Sequence, residues 1–86
     1  MKLLKINTKA TGETILNKCK EKNMTVVDLC DTLGLNRTTP YMWRLGRCYP
    51  QITTLLNLSR VLECSVEDLL VTEEVESEDN VEVLDQ

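Results

Sequence analysis

Apolar residues recur at three- and four-residue spacing through most of the chain, and breaks in that rhythm divide it into five short helical runs. The run from Thr25 to Leu33 has the sharpest boundaries. Thr25 is placed to cap the first-turn amides, with Asp28 three residues on, and Val26, Leu29, Cys30 and Leu33 fall on one face. Gly34 stands where a helix stops in a left-handed conformation. Asn36 offers a second cap, followed by Arg37, Thr38, Thr39, Tyr41, Trp43 and Arg44. This second segment is polar and aromatic where the others are aliphatic, so it reads as a surface offered to a partner.

The flanking runs are more ordinary. A first helix is predicted from Thr11, with Thr8 as the alternative cap, and Ile15, Leu16 and Cys19 line its buried side. Lys18, Lys20 and Lys22 crowd its end, where the helix dipole favours cations, and Asn23 suits a left-handed stop. Gly12 marks a candidate for close packing against a neighbour. Pro50 precedes a fourth run, residues 51–63, in which Ile52, Leu55, Leu58, Ser59 and Leu62 share a face and Leu56 points elsewhere. A fifth run opens on Ser65 with Asp68 three residues on, turning Val66, Leu69 and Leu70 inward.

The ends differ from this pattern. Residues 1–10 alternate Lys with apolar residues, an extended signature, and residues 72–86 are too polar to fold alone. Two readings of that tail stand: it lacks fixed structure, or its VEVL (residues 81–84) pairs with KLLKI (residues 2–6) as a ribbon with acidic side chains opposite basic ones. The expected architecture is all-α. It comprises an N-terminal extension (residues 1–10), a compact five-helix domain (residues 11–71) and an acidic tail (residues 72–86), with the terminal ribbon as the one β element in play.

Composition narrows the function. At 86 residues and 42% hydrophobic content without Phe, the chain is one small domain with a modest aliphatic core. Such chains bury only about 60% of their unfolded surface, so a second copy or partner would add useful area. No apolar run approaches the roughly 18 residues of a membrane span, which makes a cytoplasmic location and no membrane partner the expectation. Cys19, Cys30, Cys48 and Cys64 are widely spaced, with no CxxC and no His, so neither metal nor cofactor is expected. Three of them sit on apolar stripes as small hydrophobes, while Cys48, between Arg47 and Tyr49, is the thiol open to redox chemistry. With no nucleophile–base pair and no Gly-rich phosphate loop, an enzyme is not expected either.

The net charge of −4 hides an asymmetry. Residues 1–71 hold ten basic and seven acidic side chains, a net of +3, whereas residues 72–86 hold seven acidic and none basic. A mildly basic body with an acidic appendage is the asymmetry a functional reading has to explain, and +3 is a thin surplus for holding an anionic partner.

In order and spacing, these segments resemble the lambda-repressor-like (Cro-type, XRE) helix-turn-helix family of bacterial and phage DNA-binding regulators. The likeness covers residues 11–71. It is carried by Ile15, by Thr25, Leu29 and Cys30, by Leu33-Gly34-Leu35 at the turn, by Gly46 and Pro50, and by Leu55, Leu58, Ser59, Leu62 and residues 65–70. The resemblance implies a recognition helix at about residues 37–46 lying in the major groove, with the preceding helix braced across the backbone. Carried over position by position, Asn36, Arg37, Thr38, Tyr41 and Met42 would face bases, Arg37 as a bidentate partner of guanine. Thr38 and Thr39 would reach a phosphate or a thymine methyl, and Arg44, Arg47 and Tyr49 would meet phosphates. Trp43 falls at a core position.

Three positions depart from the family pattern. Val26 replaces a Gln that commonly contacts DNA, and Arg44 replaces a common Glu, reversing the local charge in the direction that favours DNA. Pro40 stands in the first turn of the recognition helix. With Asn36 as cap it removes the first intrahelical bond; with Thr39 as cap it occupies a favoured position and the helix begins three residues late. The later start, or a distorted first turn, is the favoured expectation. The implied function is a sequence-specific transcriptional regulator, a repressor, binding a pseudo-palindromic operator as a homodimer with half-sites roughly 34 Å apart. The alternative is a protein-binding module on the same fold, an antitoxin or anti-repressor, that uses the acidic tail against a co-encoded protein.

Overall fold

A computed structural model of the protein describes residues 1–76. Strand β1 (Lys2–Ile6) leads into α1 (Thr8–Glu21), α2 (Val26–Leu33), α3 (Thr39–Arg44), α4 (Ile52–Leu62) and α5 (Val66–Leu69), and β2 (Thr72–Glu76) follows. The molecule is thus mostly helical but not wholly all-α. β1 and β2 form an antiparallel ribbon in which Lys2 faces Glu76, Leu3 faces Val75 and Lys5 faces Glu73. The terminal ribbon forms with basic against acidic residues, but its second strand is Thr72–Glu76; residues 81–84 lie outside the described residues.

The register follows from the anchoring of the helical body. The Asn7 amide donates to the Val71 carbonyl at 2.8 Å, and the Val71 amide donates to the Thr11 hydroxyl at 3.0 Å. The chain leaving α5 therefore lies beside the chain entering α1, and the residues just after Val71 pair with those just before Asn7. This also corrects the start of α1. Thr11 is buried and bonded to Val71, and Asn7 is the cap, its Oδ1 accepting the Ala10 amide at 3.0 Å.

α2 and α5 begin on the expected capping boxes, Thr25 with Asp28 and Ser65 with Asp68. Both carboxyls are held below their usual range by hydrogen bonds from their caps, first from the backbone amide and then from the hydroxyl. Glu63 is lowered as well, by the hydrogen bond from the Lys22 ammonium. Because these folded-state values lie below the unfolded ones, the stabilisation is complete above the unfolded pKa, about 4, and is lost as pH falls through the folded values. Circular-dichroism melts taken from about pH 6 down to about pH 2 should show a falling midpoint below about pH 4. An Asp28→Asn, Asp68→Asn double variant should lose less over the same interval.

Ile15, Cys19, Leu29, Trp43, Leu58, Leu62 and Leu69 form the core, with Met24, Leu33, Leu35, Leu55, Val61 and Cys64 packed around it. Each fully buried aliphatic side chain stabilises the fold by roughly 1.5–3 kcal/mol. One expected member is absent: Ile52 is 76% exposed, while Leu55 of the same turn packs against the core. Cys19 and Cys30 are buried free thiols, and burial raises both above the ordinary thiol pKa; Cys64 is half-buried and Cys48 is exposed.

Candidate nucleic-acid interface

The turn between α2 and α3 is built by short-range chemistry. Gly34 ends α2 with φ 69°, a left-handed conformation that side chains resist, and its amide donates to the Cys30 carbonyl. The Asn36 Oδ1 then accepts both the Thr38 amide at 3.2 Å and the Thr38 hydroxyl at 3.1 Å, an Asx turn that fixes the entry to α3. The Cys30 thiol reaches the Asn36 carbonyl at 3.5 Å from below.

α3 has six residues, shorter than the expected 37–46, and Arg37 and Thr38 belong to the turn that precedes it. Of the two possible starts the later one holds, offset by a residue. Thr38 is the cap, without a side-chain bond into the helix because its hydroxyl is turned to Asn36. Pro40 is therefore second in the helix, where its missing N–H has no intrahelical partner to lose.

Pro40 and Trp43 point inward, and Trp43 is 2% exposed, the packing role expected of it. Behind them, α1 touches α3 backbone to backbone. A β-carbon on Gly12 would lie 2.3 Å from the Trp43 carbonyl oxygen. The far end of α3 is closed by Gly46, at φ 78°, whose amide donates to Trp43 while that of Arg47 reaches Met42. The position of α3 is thus set from both ends and from behind.

The front of this unit carries the candidate side chains. Asn36, Arg37, Thr38, Tyr41, Met42, Arg44 and Arg47 are exposed, Thr39 is half-buried beside Pro40, and Tyr49 is exposed in the loop before α4. Arg37 pairs with Asp31 of α2 at 3.6 Å. The Arg44 guanidinium lies over the Tyr41 ring, 5.6 Å from its centre. Both line a groove of about 580 Å³ between α1 and the start of α2, together with Lys20, Met24 and Thr25.

Arg44, Arg47 and Lys20 have no ion pair among the described residues, so three cations border the exposed face. Sequence reading missed two of these neighbours. Lys20 looked like a dipole-balancing residue at the end of α1, and nothing in the linear spacing of Asp31 and Arg37 signals a pair that closes across a turn. Among the described residues no group of His, Cys, Asp or Glu is placed to hold a metal ion, and no helix is long and apolar enough to cross a membrane.

Comparison with known proteins agrees with this geometry. A family model described as the Cro/C1-type HTH DNA-binding domain matches residues 14–74. Over 56 residues the chain is 38% identical to an uncharacterized HTH-type transcriptional regulator, YqaE, of Bacillus subtilis (strain 168). That stretch covers 64% of this chain and 48% of the relative, so the chain spans about half the length of the curated protein it matches. No solved structure matches.

Proposed function

Since the chain belongs to the Cro/C1-type HTH DNA-binding domain family, we propose that it is a DNA-binding transcription regulator that represses from a pseudo-palindromic operator as a homodimer. The observation that supports this most directly is the two-sided character of α3 and the turn that precedes it. Its back is fixed by Gly12, Pro40 and Trp43, while Arg37, Thr38, Tyr41 and Met42 stand exposed in front. A major groove about 12 Å wide admits one such helix, with side chains near its start reaching base edges.

In this reading Arg37 leaves Asp31 for a guanine, Asn36, Thr38, Tyr41 and Met42 complete the base-facing set, and Thr39 reaches a phosphate or thymine methyl. An exposed ion pair such as Arg37–Asp31 is worth about 0–1 kcal/mol, so the exchange is inexpensive. Arg44, Arg47 and Tyr49 meet phosphates. Glu74 and Glu76 are engaged within the ribbon by Lys2 and the N-terminal ammonium. These pairs are as exposed as Arg37–Asp31, so all seven carboxylates of residues 72–86 compete with DNA phosphates for Arg37, Arg44 and Arg47.

Fluorescence anisotropy with DNA from the protein's own promoter, at about 50 mM and about 200 mM salt, tests the reading, because phosphate contacts make affinity fall steeply with salt. No binding at the lower salt would overturn it. Two variants separate the roles. Arg37→Ala should cost about 1–3 kcal/mol and relax selectivity at one base pair, while Arg47→Ala should weaken all sequences alike and lower the salt slope by about 1.

A further inference from the structure

The outer side of α4 is unlike the rest of the surface. Ile52 is 76% exposed and Leu56 56%, one helical turn apart on the same side. Their exposed neighbours Gln51, Thr53 and Asn57 are uncharged, and the first charge along the same side is Arg60, one turn beyond Leu56. Residues 48–59 contain no Lys, Arg, Asp or Glu, in a chain where those residues make up 28%. Depletion of charge around exposed aliphatic side chains is the compositional mark of an interface centre.

We propose that this stripe is where a second copy of the chain docks, α4 against α4 about a twofold axis. The proposal rests on the homodimer named above and assigns its surface. In a twofold interface each residue near the axis meets its own counterpart, so a charged patch there opposes itself. The stripe of α4 avoids that conflict. The ribbon does not: its β1 edge carries Lys2 and Lys5, its β2 edge carries Glu73, Glu74 and Glu76, and pairing either edge with itself sets like charges opposite one another.

An axis passing between positions 52 and 56 rests Ile52 of each copy on Leu56 of the other. α4 is joined to α3 through the short loop 45–51, in which Leu45, at the end of α3, is itself 57% exposed. Joining two α4 helices therefore joins two α3 helices into one unit. A stripe of this size falls short of the roughly 800 Å² per partner of a standard interface, so association without DNA is weak, in the micromolar range.

Sedimentation equilibrium of the full chain without DNA tests the surface. The wild type should dimerise with a Kd of about 10–100 µM, and Ile52→Asp or Leu56→Asp should each weaken that at least about thirtyfold. Far-UV circular dichroism and Trp43 emission should stay unchanged, since both side chains are exposed. Leu4→Asp, on the 69% exposed Leu4 of the ribbon, should leave association intact. A wild type that stays monomeric at about 500 µM overturns the proposal, as do dimers that survive both α4 changes or that Leu4→Asp dissociates. A monomer that still binds promoter DNA removes this surface and leaves the DNA reading standing; an α4-dependent dimer that ignores DNA does the reverse.

Discussion

Replacing Gly12 by alanine is expected to unseat α3 from α1. The added β-carbon would lie 2.3 Å from the Trp43 carbonyl oxygen and 2.6 Å from the Arg44 amide nitrogen. Both are backbone atoms, which cannot rotate aside as the end of a side chain can, so one helix must move. Overpacking costs about 1–3 kcal/mol, and a backbone collision belongs at the upper end. In a domain this small each kcal/mol lowers the melting midpoint by roughly 4–8 °C, which puts the fall at about 12–24 °C. The displaced α3 should also bind DNA less well at temperatures where the variant is still folded. Gly34→Ala is the internal comparison. Nothing lies within 4 Å of its would-be β-carbon, and only its φ of 69° resists, at roughly 1–2 kcal/mol. Thermal melts in which Gly34→Ala is the more damaging of the two would refute this account of Gly12.

The second large effect is expected from Trp43→Ala. Trp43 is the bulkiest fully buried side chain in the core, which has no Phe to share the load. Truncating a buried aromatic costs about 3–5 kcal/mol. Small domains have about 5–15 kcal/mol in all, so the variant should retain only a fraction of its native stability. Urea titration followed by far-UV circular dichroism should show the midpoint displaced toward zero denaturant. Trp43→Leu, which keeps part of the volume, should fall between the variant and the wild type. A loss below about 1 kcal/mol for the alanine change would mean that α3 is held mainly by its neighbours in sequence.

The features read correctly from the sequence are those decided within a few residues. Thr25 with Asp28 and Ser65 with Asp68 form their boxes because the spacing alone brings amide and oxygen together. Asn23 and Gly34 both take the left-handed stops expected of them. Features that depend on distant chain were misread or unseen. Thr11 looks like a cap, yet its hydroxyl serves Val71, sixty residues away. Ile52 fits the apolar stripe of α4, but periodicity gives the direction of a face and not how far the neighbouring helices extend to cover it. Glu63 takes φ 56° at the end of α4 without the Gly or Asn that would have announced it, and its carboxylate accepts from the Lys22 ammonium. In the candidate interface the exposed face was legible from residue types, whereas the Arg37–Asp31 pair and the groove shared by Lys20, Tyr41 and Arg44 required the fold.

The ribbon joins the earliest-made strand of the domain to one of the latest, which gives it a place in the timing of synthesis. β1 is made before its partner and stays unpaired until Thr72–Glu76 have been translated, a wait of several seconds at about 5–20 residues per second. The core draws only on residues between Ile15 and Leu69, so none of its contacts waits on the ribbon. A product released before residue 72 would contain every core residue yet leave Leu3, Leu4 and Ile6 on an unpaired strand. Closure of the ribbon therefore marks a domain synthesised at least through β2, and one stalled before that point carries an unpaired strand with three apolar side chains.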